Sequence, residues 1–480
     1  MDVKVWSLIV DLLEERLRAE PDKVELLFEK ACLLTKLGRM TEARNTYLAL
    51  LAREPSHAGA LNNLGTLLYN TGFRSAARTT YIETVSRHPS EPMGHVNLAN
   101  VYLKDGEFEL AREHYSTALQ LTPDHREAHK GLSYVYAELG NEVEAEFHRQ
   151  LGFQGQPIVQ FPYYGSAQPI RLLLLVSAVG GNTPTTNFLD ENIFQTFVMF
   201  VEFCDSDTPL PPHELVFNAI SDADLAGPAL ETAQVILKRS RAPVINDPSA
   251  VLFTRRVDIA QRFSQVPGVM TPRTAVMSRA ILQSPDAHTM LGNEGFAFPI
   301  LLRRPGFHTG RHFIRVNDSS ELESAMNDLR GDDFLVIQYF NSQAEDGTFR
   351  KYRVMMIQGK LYPLHLAISR DWKVHYFTSE MVVHADYRAE EGAFLQNMSE
   401  VLGTRIMAAL RRIQDELGLD YAGIDFGVNE KGDLLLFEVN ATMVVNPPEP
   451  DACWDYRRQP IGQVLQAVRS MLMSAAQLQS

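Results

Sequence analysis

The residues best placed to do chemistry lie in one stretch, AGIDFGVNEKGDLLLFEVNATM, positions 422 to 443. Asp425 and Glu438 sit in runs that otherwise lack charge, and Asn440 follows two residues after Glu438. NEKGD between the runs is turn chemistry, Asn, Gly and Asp clustered between apolar segments, so the stretch reads as a two-stranded hairpin. Alternate residues of a strand share a face, which puts Glu438 and Asn440 on one side. A hairpin registered on the turn brings Asp425 alongside them. Two carboxylates and a carboxamide oxygen make a hard, all-oxygen donor set, suited to Mg²⁺ bound together with phosphate oxygens. The plainer reading is a half-buried hairpin whose acids face water. Against it, a carboxylate inside an apolar run is costly unless a cation or hydrogen bonds answer it.

The rest of the chain must position that hairpin. With 480 residues, 45% of them hydrophobic and 25 Phe, sizeable cores and roughly two to four domains are expected. A net charge of −14 without long Lys or Arg blocks argues against non-specific nucleic-acid binding. The three cysteines, Cys32, Cys204 and Cys453, are far apart and in no CxxC or Cys/His pattern. That fits a reducing cytosol and excludes a zinc ribbon or a disulfide framework. MDVKVWSLIVDLLEERLRAEP carries acids along its apolar stretch and reads as an amphipathic helix, not a signal peptide. IRLLLLVSAVGG is too short to span a bilayer. A cytoplasmic protein without a membrane partner is expected.

Residues 1–155 form a repeat array. Gly38, Gly72, Gly106 and Gly140 are 34 residues apart; Ala43, Ala77, Ala111 and Ala145 keep the step, as do Tyr47, Tyr81 and Tyr115, and Pro21, Pro55, Pro89 and Pro123. The glycine ends the first helix of each unit in a left-handed conformation. The alanine marks a close helix crossing, and the proline ends the second helix. Four position types in phase resemble the tetratricopeptide repeat family, with about three good repeats, a degenerate fourth and an N-terminal helix forming an all-α solenoid. The resemblance implies a concave groove for a peptide or protein partner, with Asn63 and Asn97, in phase, on the peptide backbone. Docking of the array on the chain's own remaining domains is the equal alternative.

FQGQPIVQFPYYGSAQP, rich in Gly, Pro and Gln, makes 156–168 a linker. In 169–250, IRLLLLVSAVGGN, QTFVMFVEFCD, HELVFNAISDAD and APVIND read as short buried strands and GPALETAQVILKRSR as a helix, an α/β unit with a doubly wound sheet. VGGN lacks the GxGxxG spacing, and no Walker-type GKS or GKT is present, which rejects both nucleotide motifs.

Residues 251–480 carry a more specific resemblance. VINDPSAVLFTRRVDIAQRF, PGVMTPRT, FPILLRRPGFHTGRHFIRV, LVIQYF, FRKYRVMMIQGKLYPLHLAIS and LLLFEVNA follow one another as the parts of an ATP-grasp domain do. The whole chain then resembles an α + α/β assembly: the repeat solenoid, a pre-ATP-grasp α/β domain and an ATP-grasp α+β domain. In that family's terms, Arg256 and Arg303 would face the α/β-phosphates of ATP, Gly306 and Gly310 would form a closing lid, and Gln338, Tyr339 and Phe340 would meet adenine. Arg353 would be the catalytic residue facing the transferring phosphoryl group, and Asp425, Glu438 and Asn440 would hold Mg²⁺. Arginines stand at 256 and 303 where the family usually has lysines; they keep the charge but are planar and bidentate. Strand alternation turns only one of Arg303 and Arg304 inward, and the family's spacing favours Arg303. Each of these arginines has the plain alternative of an ordinary surface ion pair, and His308 and His312 read as solvated. SRDWKVHY, basic and aromatic, suits the acceptor, through Arg370 and Lys373.

The resemblance implies an ADP-forming ligase that joins a small-molecule or peptide carboxylate to an amine or similar nucleophile through an acyl phosphate, with ATP and Mg²⁺. The repeats would recruit one reactant. The competing expectation is an inactive nucleotide-binding scaffold for protein–protein interaction, motivated by the lysine-to-arginine departures.

Overall fold

The 34-residue period appears directly in the backbone. In the computed structural model, which describes residues 3–205, 207–306, 312–376, 379–449 and 451–477, the N-terminal helix α1 (Val3–Ala19) leads into four helix pairs. They are α2 (Val24–Lys36) with α3 (Met40–Leu51), α4 (Ala58–Asn70) with α5 (Arg74–Arg87), α6 (Pro92–Asp105) with α7 (Phe108–Leu121), and α8 (Arg126–Leu139) with α9 (Glu142–Phe153). Gly38, Gly72, Gly106 and Gly140 have φ of 72°, 88°, 79° and 79°, a region where a side chain is strained. Ala43, Ala77, Ala111 and Ala145 are fully buried. The Tyr115 ring lies so close to Gly131 that a Cβ there would come within 2.1 Å of it. The fourth pair is complete where a degenerate repeat was expected: Gly140 and Ala145 are kept, and a buried Arg149 stands in the tyrosine position.

Two histidine pairs share the same period. His95 Nδ1 meets His114 Nδ1 at 3.0 Å and His129 Nδ1 meets His148 Nδ1 at 2.8 Å. Nε2 of His95 and of His129 lies 3.0 Å from the carbonyl of Pro89 and of Pro123. A carbonyl can only accept, so each Nε2 carries the proton and the Nδ1 of His95 and His129 is the acceptor.

By packing, the chain forms two compact units: Met1–Pro157 with Phe161–Pro169 and Glu191–Gln195, and Ile158–Gln160 with Ile170–Asp190 and Thr196–Ser480. Among the described residues, the second unit contains three sheets. The first has the order β1 (Ile158–Gln160), β3 (Phe194–Phe200), β2 (Ile170–Val176), β4 (Leu215–Asn218), β5 (Val244–Ile245), with β2, β4 and β5 parallel and β1 antiparallel to β3. Helix α10 (Gly227–Leu237) joins β4 to β5, and α11 (Pro248–Leu252) and α12 (Arg256–Arg262) follow. The linker expected at 156–168 thus contains a strand, too short for three residues to show a period.

The second sheet is antiparallel, in the order β7 (Thr274–Ser278), β10 (Asp333–Gln338), β8 (Ile300–Arg303), β9 (Phe313–Val316). Helices α13 (Arg279–Leu282), α14 (Ala287–Asn293) and α15 (Leu322–Asp328) accompany it. The third runs β12 (Lys360–Ser369), β11 (Phe349–Ile357), β13 (Tyr421–Val428), β14 (Leu434–Asn440), β6 (Val269–Met270), antiparallel except for β6 beside β14. Helices α16 (Ala385–Gln396), α17 (Met398–Leu417) and α18 (Asp455–Gln477) complete the unit. Leu173 and Ala229 share one continuous core with Val354 and Phe426, while Ile300, Phe334 and Val336 centre a separate one. The border expected at residue 250 is therefore not a packing boundary, because the first and third sheets bury their apolar faces together. Among the described residues, no helix is long and apolar enough to cross a membrane.

Candidate functional site

The hairpin β13–β14 owes its chemistry to an irregularity. Phe426 pairs with Leu436, but the next pair is Asp425 with Glu438, so Phe437 is an extra residue in β14. A β-bulge of this kind changes which face the following side chains occupy. Leu434 and Leu436 point into the core, and beyond the bulge Val439 and Ala441 do. Glu438 and Asn440 are thereby turned to the opposite side, with Asp425. Gly427 makes room for the displaced ring, since a Cβ there would lie 2.9 Å from Phe437 Cζ.

Asp425, Glu438 and Asn440 line a cavity of about 630 Å³ with walls from the second and third sheets. Its described lining includes seven Lys or Arg and three Asp or Glu, an excess of positive charge that suits an anionic ligand. Arg353 grips Asp425 with Nε at 2.5 Å and Nη2 at 2.7 Å, and Lys351 Nζ reaches the same carboxylate at 3.2 Å. Burial alone would raise the Asp425 pKa, but Arg353 and Lys351 hold it below the ordinary carboxylate value. Arg256 donates to Glu438 at 2.7 Å and to Asp224 at 2.9 Å. Burial opposes its charge, and those two acids more than restore it, so its pKa is raised. Arg303 is pushed down to about 10, by burial first and by the neighbouring Arg256 second. The guanidinium of Arg303 also lies 5.5 Å from the Phe313 ring centre.

Of the residues singled out from the sequence, this cavity gathers Arg256, Arg303, Gln338, Tyr339, Phe340, Arg353, Lys373, Asp425, Glu438 and Asn440. Gln338 is fixed from both sides: its backbone N–H donates to the Arg273 carbonyl at 2.9 Å, and its Oε1 accepts from Arg273 N at 3.2 Å. Lys373 Nζ donates to the Phe313 carbonyl at 3.1 Å, tying the segment after β12 to β9. Arg303 faces the cavity, while the Arg304 side chain runs beside Gly331. Gly306, at φ 75°, packs near Leu225 and is not among the lining residues; Gly310 and His308 lie outside the described residues. Arg370 is exposed and outside the lining. In the repeats, Asn63 Nδ2 donates to Cys32 Sγ at 3.4 Å and Asn97 Nδ2 to Asn62 Oδ1 at 3.1 Å, linking first helices of successive pairs.

Lys351, Asp224, His365, Trp454 and Arg457 complete the site without having been expected. Lys351 was legible, since it shares a strand face with Arg353 two residues away. Nothing local connects Asp224 to Arg256 or Arg457 to the hairpin.

Asp425, Glu438 and Asn440 are the residues that would hold a hard divalent ion. Asp425 and Glu438 face each other across the ladder, and the Asn440 carboxamide adjoins Glu438, with Nδ2 2.7 Å from Oε1 and Oδ1 accepting from Thr442 N at 2.9 Å. The buried Thr442 Oγ1 beside them has no hydrogen-bond partner among the described residues. No group of three or more His, Cys, Asp or Glu is gathered for a metal among the described residues, and both acids already have cationic partners.

Comparison with known proteins bears on the repeats. The Tetratricopeptide repeat family model matches residues 28–92, 62–124 and 96–147. Among solved structures, a crystal structure of MamA is 19% identical, with 31% of this chain and 86% of that chain covered and a TM-score of 0.29. MamA from Desulfovibrio magneticus RS-1, from residue 41 to its end, is 21% identical, with 30% and 90% covered and a TM-score of 0.27. No curated protein matches the chain. The N-terminal region of this protein is an array of tetratricopeptide repeats, a module of protein–protein interaction.

Proposed function

We propose that the chain is an ATP-dependent, ADP-forming ligase that joins a carboxylate to an amine or similar nucleophile, with the repeats recruiting a peptide or protein that carries one reactant. The observation that carries this reading is the meeting of Asp425 and Glu438 with Arg256, Arg303 and Arg353 in one cavity between two sheets. Arg256 and Arg303 offer positive charge to bound phosphates. Arg353 stands beside Asp425, where it stabilises charge on a transferring phosphoryl group. Gln338, Tyr339 and Phe340 form the wall for the base. Asp425, Glu438 and Asn440 would hold Mg²⁺, which would neutralise charge on the β- and γ-phosphates. An acceptor carboxylate oxygen bonds to the γ-phosphorus as the bond to ADP breaks. The amine nitrogen then bonds to the acyl carbon, phosphate leaves and the amine proton passes to solvent. Tethering by the repeats raises the effective concentration of the recruited reactant. Three thiols, none in a disulfide, suit a reducing cytoplasm.

The test is ADP release with Mg²⁺ and a panel of acids and amines. Glu438→Gln is expected to abolish it with the circular dichroism spectrum unchanged; unaltered turnover would overturn the assignment. A nucleotide-holding scaffold without turnover is the second reading. It is favoured by the cations already on both acids, Arg353 and Lys351 on Asp425 and Arg256 on Glu438. Tight ATP binding that needs no Mg²⁺ and never yields ADP would establish it.

A further inference from the structure

The same cavity continues past Arg353 into a bay of different character. Arg353 is the cross-strand partner of His365. The His365 ring lies 4.8 Å from the Tyr376 ring, and Tyr376 lies 6.3 Å from Trp454. The Arg457 guanidinium is 4.3 Å from the Tyr376 ring centre and 5.8 Å from that of Trp454. All four residues line the cavity.

The bay's charges are unequal. Arg457 Nε lies 3.4 Å from Glu391, a fully buried acid, so that cation is answered. Lys351 and Arg353 share the single carboxylate of Asp425, and Glu438 also acts on Arg353, so two cations stand together at the mouth of the bay; Glu449, also on the lining, is solvent-exposed. Two buried groups have unused hydrogen-bonding capacity. His365 is 6% exposed, and its Nδ1 has no hydrogen-bond partner among the described residues; Arg457 is 8% exposed, and its Nε has the ion pair but no hydrogen bond. Buried polar atoms in native proteins are normally satisfied, so the body of a ligand in the bay is expected to carry a polar substituent toward His365 Nδ1.

The geometry points to an acceptor subsite for a monocarboxylic acid with a flat, aromatic body. The carboxylate sits at Lys351 and Arg353, and the body lies along His365, Tyr376 and Trp454. This inference rests on the ligase reading for the fate of the acid but not for its binding. Lys351 and Arg353 together suit one carboxylate; beyond them the walls are aromatic and Arg457 is already paired with Glu391, which disfavours a diacid. Aromatic walls stack on a flat body, and an apolar pocket gains affinity from each apolar group that it buries.

The probes are 3-phenylpropionate, propionate and succinate, titrated calorimetrically into the full chain with and without MgADP. Phenylpropionate is expected to bind at least about tenfold more tightly than propionate, and succinate no better than propionate. Trp454→Ala is expected to shrink the preference for the aromatic acid about three- to tenfold, and Trp454→Phe to restore most of it. Equal affinities for phenylpropionate and propionate, or a preference for succinate, would overturn the subsite. So would failure of every acid to bind a protein that does bind ATP. Acid binding by a protein that binds no ATP would instead leave the subsite standing and remove the ligase reading.

Discussion

Arg353 and Asp425 are held by two parallel hydrogen bonds in a place that water barely reaches, Asp425 being 3% exposed. Two-pronged pairing of this kind fixes orientation as well as charge. Removing one partner strands the other, and a stranded buried charge is expensive. Arg353→Met is therefore expected to lower stability by roughly 3 kcal/mol in urea unfolding, with Lys351 limiting the loss, and to abolish ADP release. An unchanged midpoint would show that Lys351 alone suffices for Asp425. A second residue-scale consequence concerns the histidine pairs. Burial, and then its neighbour His129, pushes His148 down to about 4, and His114 is lowered by burial and His95. The unfolded chain takes up these protons near pH 6.5, which the folded array refuses. Stability is therefore present above about pH 6.5 and falls as pH drops toward 4. Thermal unfolding of the full chain between pH 7.5 and pH 4.5 checks it, and His148→Phe is expected to flatten the profile.

At the scale of elements, the repeat glycines do two different jobs, and single substitutions separate them. Gly106 turns the chain out of α6 at φ 79° with no atom closer than 4.0 Å to a new Cβ. Gly106→Ala is expected to cost only the left-handed strain, about 1 kcal/mol. Gly131 is helical, and a Cβ there would strike the Tyr115 ring. Gly131→Ala is expected to cost more, about 3 kcal/mol by forced repacking, with urea midpoints ranking the two. The helices were legible because four position types kept one step, and a fourth repeat looked weak only because Arg149 interrupts the tyrosines. The hairpin was legible from NEKGD and from isolated acids in apolar runs. The bulge was not. Read with strict alternation, Leu434, Leu436, Glu438 and Asn440 fall on a single face, and nothing in LLLFEVN announces the extra residue that separates leucines from acid. Arg256 paired with Asp224, or Arg457 beside Tyr376, depends on meetings between distant segments that no local pattern encodes.

Over the whole molecule, the cores are separate. Ala31, Tyr47, Leu64 and Tyr115 belong to the repeat core, and Leu173, Val354 and Phe426 to that of the second unit. Cooperative unfolding follows a compact unit, and the chain forms two, so calorimetry is expected to resolve two transitions. MgATP at about a hundred times its dissociation constant is expected to stabilise the second unit by about 2.7 kcal/mol and to leave the repeat transition in place. Equal movement of both transitions would show that the ligand stabilises the array as well. The net charge of −14 gives an anion no general attraction to this protein, so anion binding would draw on the local excess of cations in the cavity, and added salt is expected to weaken it.

The extra residue in β14 also gives the strand something like a reading frame. Losing Phe437 would leave Glu438 opposite Asp425 and Asn440 opposite Gly423, because the pairing on either side of it already matches. Losing Val439 instead would shift Asn440 out of phase and exchange its face for that of Ala441. The site is thus more exposed to a change in count between Glu438 and Asn440 than to one at the bulge beside them.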